Sequence, residues 1–97
     1  MEVATEILRQ LGGNKFIAMT GSKQFCADDD MLIFKIPGNL SKANRVRITL
    51  NSMDLYDVEF LKINRKFDII IIKEYNNVYN EDLQDIFTSV TGLETHL

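Results

Sequence analysis

Four consecutive isoleucines, Ile69–Ile72, constrain this chain more than any other feature. Branching at Cβ restricts χ1 against the preceding turn of a helix and suits a pleated strand. The run therefore predicts a strand over Phe67–Tyr75. Apolar side chains on both of its faces predict an interior position, or one face at an interface. Upstream, Leu55–Ile63 is also apolar on both faces and reads as a central or bulged strand. The short polar connection Asn64-Arg65-Lys66 joins the two.

Period-two patterning extends the sheet toward the N-terminus. Arg45–Leu50 alternates, with Val46, Ile48 and Leu50 turned to the core. Met31–Ile36 is a strand stopped by Pro37-Gly38. Asp28-Asp29-Asp30 is a polar turn. Before it, Lys15–Thr20 reads as a strand, bent at Gly21-Ser22 and resumed at Phe25–Ala27. Short connections imply antiparallel neighbours, since parallel strands need long crossovers.

Helical spacing marks the two ends of the chain. Val3, Ile7, Leu8 and Leu11 form one apolar stripe that Gly12-Gly13 terminates. Leu83, Ile86, Phe87 and Val90 form a second stripe, ended by Gly92. Asn80 is placed to cap that helix with its side chain, and Glu81 and Asp82 suit the positive end of its dipole. The fold class that follows is α+β: a two-layer single domain spanning 1–97, with an about five-stranded, mostly antiparallel sheet and an N-terminal and a C-terminal helix. A hydrophobic share of 45% is enough for a core of that kind.

No group of residues carries the signature of covalent chemistry. His96, the sole histidine, stands beside the chain end, where a solvated residue is the simplest reading. Cys26 lacks a nearby base and reads as a small buried or half-buried hydrophobe. Asp28, Asp29 and Asp30 lack the alternate spacing and distal glutamate of a calcium loop. Glu81, Asp82 and Asp85 are explained by the helix dipole. Gly12-Gly13 and Gly21-Ser22-Lys23 fit neither the phosphate-loop nor the dinucleotide pattern. The sequence therefore assigns no catalytic residue, no metal ligand and no cofactor, and the protein is expected not to be an enzyme. A lone cysteine and the polar stretch Met1–Gln10, unlike a secretory signal, point to a reducing cytoplasm, with no apolar run near the roughly 20 residues of a membrane span.

Charge is the remaining signal. The net charge is −3, yet cations gather in the middle of the chain and carboxylates at its end. Lys35, Lys42, Arg45 and Arg47 lie in one strand–loop–strand stretch, and Lys62, Arg65 and Lys66 extend it if the strands are adjacent. Such a set can hold phosphates. It can equally be a solvated face. Phe34, the one aromatic in the segment, alternates inward and is not available for stacking. Tyr75 and Tyr79, with Asn76 and Asn77, form a second candidate surface or simply connect the last strand to the last helix.

Leu11-Gly12-Gly13-Asn14-Lys15-Phe16-Ile17-Ala18-Met19-Thr20-Gly21, Arg47-Ile48-Thr49-Leu50-Asn51, Asp54-Leu55-Tyr56-Asp57-Val58-Glu59-Phe60, Val78-Tyr79, Phe87-Thr88 and Thr91-Gly92-Leu93 together resemble small uncharacterised proteins of bacteriophages and mobile elements. The resemblance implies a setting, the bacterial host cytoplasm, and no mechanism. In that setting the expectation is a binding protein acting by protein–protein contact on a bacterial host or phage protein, in one form an inhibitor of a host defence or nucleic-acid-processing complex. The alternative is a nucleic-acid-binding accessory protein that uses the basic 35–47 segment. A homo-oligomer through Ile69–Ile72 is a further expectation; cover by the two helices would serve the same run.

Overall fold

The computed structural model describes residues 2–95. Helix α1 (Glu2–Leu11) and helix α2 (Gly13–Thr20) precede strands β1 (Lys23–Ala27), β2 (Met31–Lys35), β3 (Arg45–Leu50), β4 (Tyr56–Ile63) and β5 (Ile69–Val78). A 3₁₀ turn at Asn80–Asp82 leads into helix α3 (Leu83–Thr91). The strands form one sheet in chain order, β1-β2-β3-β4-β5, antiparallel at every step. The expected α+β class and the antiparallel meander are what the structure shows.

The helices pack on one face only. Ala4, Ile7 and Leu11 of α1, Phe16 of α2, and Leu83 and Phe87 of α3 share a core with Leu32, Phe34, Val46, Ile48, Val58 and Phe60 of the sheet. Four phenylalanines sit at its centre. The Phe16 ring lies 5.6 Å from Phe34 and 5.0 Å from Phe87, and Phe87 lies 6.4 Å from both Phe34 and Phe60. Edge-on and tilted rings of this kind add stabilisation beyond their buried area.

Two expectations from the sequence need correction. Lys15–Thr20 is a helix, α2, not a strand. Phe16 and Thr20, four residues apart, are its buried positions, and the Thr20 hydroxyl donates to the Phe16 carbonyl at 2.8 Å. Gly12 (φ 123°) redirects the chain between the two helices, while Gln84 Nε2 donates to the Leu11 carbonyl that ends α1 (2.9 Å). Packing against Phe34 and Phe87 outweighs a local preference this weak. The second correction concerns Ile69–Ile72, which is not interior: β5 is an edge strand, and the four isoleucines are 39–58% exposed.

Smaller differences have local causes. Asn80 makes no side-chain cap; the Tyr79 and Asn80 carbonyls accept the Asp82 and Leu83 amides instead. Cys26 is exposed rather than buried, because it opposes Ile33 on the sheet face that the helices leave uncovered. His96 lies outside the described residues.

Asparagine side chains pin the connections. Asn44 Oδ1 accepts from the Ile63 amide (2.9 Å) and its Nδ2 donates to the Ile63 carbonyl (3.0 Å), so the side chain imitates a paired strand residue. Asn51 Oδ1 accepts from the amides of Met53 and Leu55, and Asn64 Oδ1 from those of Lys66 and Asp68. Such side chains replace the partners that turn amides lose on leaving the ladder.

Gly92 closes α3 at φ 75°, and its amide donates to the Thr88 carbonyl (2.8 Å). A Cβ there would stand 2.6 Å from Leu40 Cδ1, but Leu40 is 80% exposed and free to swing away. The backbone term therefore dominates. Gly92→Ala is expected to cost about 1–2 kcal/mol in urea unfolding. Gly38→Ala, where an added Cβ meets nothing, is expected to be neutral or slightly stabilising. A second expectation concerns Glu6. Hydrogen bonds from Arg9 and then Gln10 draw its carboxyl from 4.5 down to about 2. The stabilisation is complete above the unfolded value and fades as pH falls from about 4.5 through about 2. An NMR titration checks this, with Arg9→Ala expected to move the Glu6 midpoint upward.

Candidate binding surface

Strand register converts the scattered cations into an ordered pattern. On the face without helices, one row runs straight across the sheet: Lys23 opposes Lys35, Lys35 opposes Arg45, Arg45 opposes Leu61, and Leu61 opposes Ile71. Neighbouring strands lie about 4.8 Å apart, so three cations stand side by side over about 10 Å. Like charges directly opposite one another are unfavourable. Among the described residues none of the three has a carboxylate within ion-pair distance; the Arg45 guanidinium donates to the Asn44 carbonyl (3.0 Å). Leu61 is fully buried yet separate from the helix-side core.

The next row reads Cys26, Ile33, Arg47, Glu59, Glu74. Here the positive charge is satisfied internally. Arg47 donates to both carboxylate oxygens of Glu59, at 2.8 and 3.0 Å. Paired in that way, Arg47 is withdrawn from the candidate set that the sequence proposed.

The meander sorts the rest by alternation. Successive turns fall at opposite ends of the sheet. The loop after β2 and the turn after β4 lie at one end, bringing Lys42, Arg65 and Lys66 together with the row of Lys23, Lys35 and Arg45. Lys62 lies at the same end but on the helix-side face, opposite Ile70. The turns after β1 and β3 and the 3₁₀ turn after β5 lie at the other end, with Asp28, Asp29, Asp30, Asp54, Glu81 and Asp82. The molecule is thus polarised along its strands, a source of oriented long-range attraction.

Tyr75 and Tyr79 do not share a surface. Tyr75 is half-buried and sets its ring edge-on to Phe60 (6.5 Å), with Lys73 Nζ 5.9 Å from the ring centre. Tyr79 is exposed where β5 gives way to the 3₁₀ turn.

Two residues at the basic end were missed by sequence reasoning. Lys23 follows the Gly21-Ser22 bend and carries no local signal of a binding role; only the β1–β2 register places it beside Lys35. Phe67 was read as part of a strand, but it follows the Asn64–Lys66 turn, is 83% exposed and has φ 64°. Its amide donates to the Asn64 carbonyl (3.0 Å), closing the turn. A bulky side chain in the left-handed region is strained, and asparagine or glycine is the usual occupant. The sequence signal was available: Asn64 three residues ahead marks a turn, not a strand start.

An apolar cleft of about 270 Å³ lies between α1 and the β1 edge, lined by Ala4, Thr5, Leu8, Phe25, Cys26, Ala27 and Leu32. No carboxylate, amine or imidazole lines it. No cluster of three or more His, Cys, Asp or Glu side chains able to hold a metal ion forms among the described residues, and no helix there is long and apolar enough to cross a membrane.

Comparison with protein-family models, with curated protein sequences and with solved structures finds no match to this chain. The reading of the surface therefore rests on geometry and charge.

Phe67→Asn is expected to raise stability by about 1 kcal/mol, because asparagine adopts positive φ at lower cost. Urea unfolding checks this; a loss of stability would mean that the exposed ring makes a contact the fold needs.

Proposed function

We propose that the protein is a non-enzymatic binding protein that acts by protein–protein contact, with the basic end of its uncovered sheet face as the working surface. The row Lys23–Lys35–Arg45 carries this reading: three directly opposed cations without a carboxylate partner form a surface that an acidic partner neutralises. Lys42, Arg65 and Lys66 widen the positive field, and the exposed Phe67 supplies an aromatic anchor of the kind that dominates contact energetics. The acidic opposite end orients an incoming partner. In the setting that the sequence resemblance implies, the partner is a bacterial host or phage protein that presents a carboxylate-rich surface, and inhibition of a defence or nucleic-acid-processing complex is the form we favour.

A second reading has its own support. The same row matches nucleic-acid phosphates, and Phe67, in the β4–β5 turn at the same end of the sheet, provides the exposed ring that stacking on single-stranded bases requires. The acidic far end limits a long polyanion to the basic end alone.

Lys35→Glu with Arg45→Glu is expected to abolish capture of a defined host partner in pull-down from bacterial lysate, while Lys62→Glu, on the other face, retains it. Recovery of the same partner by the double variant would overturn the assignment. A fluorescent single-stranded oligonucleotide separates the second reading. Binding whose log affinity falls with log salt, with a slope reduced by about 0.7 for each phosphate contact removed, would favour nucleic acid over protein.

A further inference from the structure

We infer that the β5 edge is occupied by a second copy of this chain, paired antiparallel across a twofold axis perpendicular to the sheet near Ile70. The inference concerns the β5 edge rather than the Lys23–Lys35–Arg45 row and does not depend on what that row binds; the two share only the Arg65–Lys66 turn.

The two edges of the sheet are unlike. β1 is five residues long, carries Lys23, and has a register shift between Lys23 and Cys26 with Gln24 at φ 56°. These devices block strand addition. β5 is ten residues long and exposes Ile69, Ile70, Ile71 and Ile72 in succession, uninterrupted by any charge or proline. Left open, such an edge promotes uncontrolled pairing. The helices cannot serve as its cover, because they pack on the core centred on the four phenylalanines and leave the isoleucines exposed. A twofold pairing uses each edge once and closes the assembly.

Bulges set the register. β5 departs from regular pairing with β4 between Ile71 and Lys73 and again between Tyr75 and Val78, and irregularities of this kind disfavour a continuous ladder along the C-terminal half of the strand. The regular part is the start of the strand. Centring the axis at Ile70 sets Ile69 of each copy opposite Ile71 of the other. It also brings Asp68 of each copy, just before the strand, next to Lys73 of the other. A parallel pairing would instead oppose Asp68 to Asp68.

The whole-molecule charge agrees. Antiparallel strands lay the two polarised sheets head to tail. The Arg65–Lys66 turn of one copy then runs toward the acidic Glu81–Asp82 turn of the other. Complementary fields of this kind steer association and fix register.

The test uses the full chain and its native cysteine. Sedimentation equilibrium from micromolar to several hundred micromolar is expected to show a discrete dimer. Ile70→Lys, and separately Ile72→Lys, are expected to shift it to monomer with circular dichroism unchanged. Asp68→Lys is expected to weaken the dimer at least tenfold, and Asp68→Lys with Lys73→Asp to restore it. A spin label on the exposed Cys26, at the far edge, is expected to report a separation of about 40–50 Å, since about nine inter-strand spacings of about 4.8 Å separate the two β1 strands. A monomeric wild type, a dimer indifferent to both isoleucine variants, failure of the charge swap, or a label separation under about 25 Å would each overturn the inference. The last result would place the contact at β1 or between sheet faces. None of these outcomes depends on the Lys35 and Arg45 variants, so the two proposals stand or fall separately.

Discussion

The contact between Phe16 and Phe87, 5.0 Å from ring to ring, is the joint on which the rest of the structure depends. It ties α2 to α3, and through Phe34 and Phe60 it ties both to the sheet. Truncating a fully buried phenylalanine costs about 3–5 kcal/mol, a large share of what holds a small domain together. Because every helix is drawn to this one cluster, all of them lie on the same side. The uncovered opposite face is therefore a consequence of where the aromatic core formed. Cross-strand neighbours alone shape it, and they leave a row of three cations in register.

Topology then does what linear order does not. Along the chain, basic and acidic segments succeed one another, and a single strand can carry both signs. An antiparallel meander folds that order back on itself at every turn, so alternate connections land at the same end. Lys42 and Lys66 are distant in sequence, yet both belong to the basic end; Asp30 and Asp54 are likewise brought to the acidic end. Arg45 and Arg47 are two residues apart and on the same face, but their surroundings differ. Arg47 faces Glu59 and is neutralised, whereas Arg45 faces Lys35 and Leu61 and is not. A register shift of one residue would exchange the faces of both and dissolve the pattern.

The candidate surface was legible in part for the same reason. Lys35, Lys42, Arg45, Arg65 and Lys66 could be nominated from composition along the chain, and the structure brings them to one end. Lys23 could not, since nothing local connects it to Lys35. Arg47 was nominated for its charge, although its partner twelve residues on satisfies it. Phe67 passed as an ordinary strand residue, because positive φ belongs to the turn that Asn64 organises rather than to phenylalanine.

Period-two alternation in Arg45–Leu50, the β-branched run at Ile69–Ile72 and the glycine that ends each terminal helix were enough to give the sequence of strands, the antiparallel order and two of the helices. Those signals act within a few residues, where sterics and side-chain alternation dominate. The state of Lys15–Thr20, the edge position of β5 and the pairing of charges were decided only in the folded molecule. Each depends on which distant part of the chain comes to lie alongside: Phe87 against Phe16, no further strand of the same chain beyond Ile71 among the described residues, and Glu59 rather than Lys35 across from an arginine.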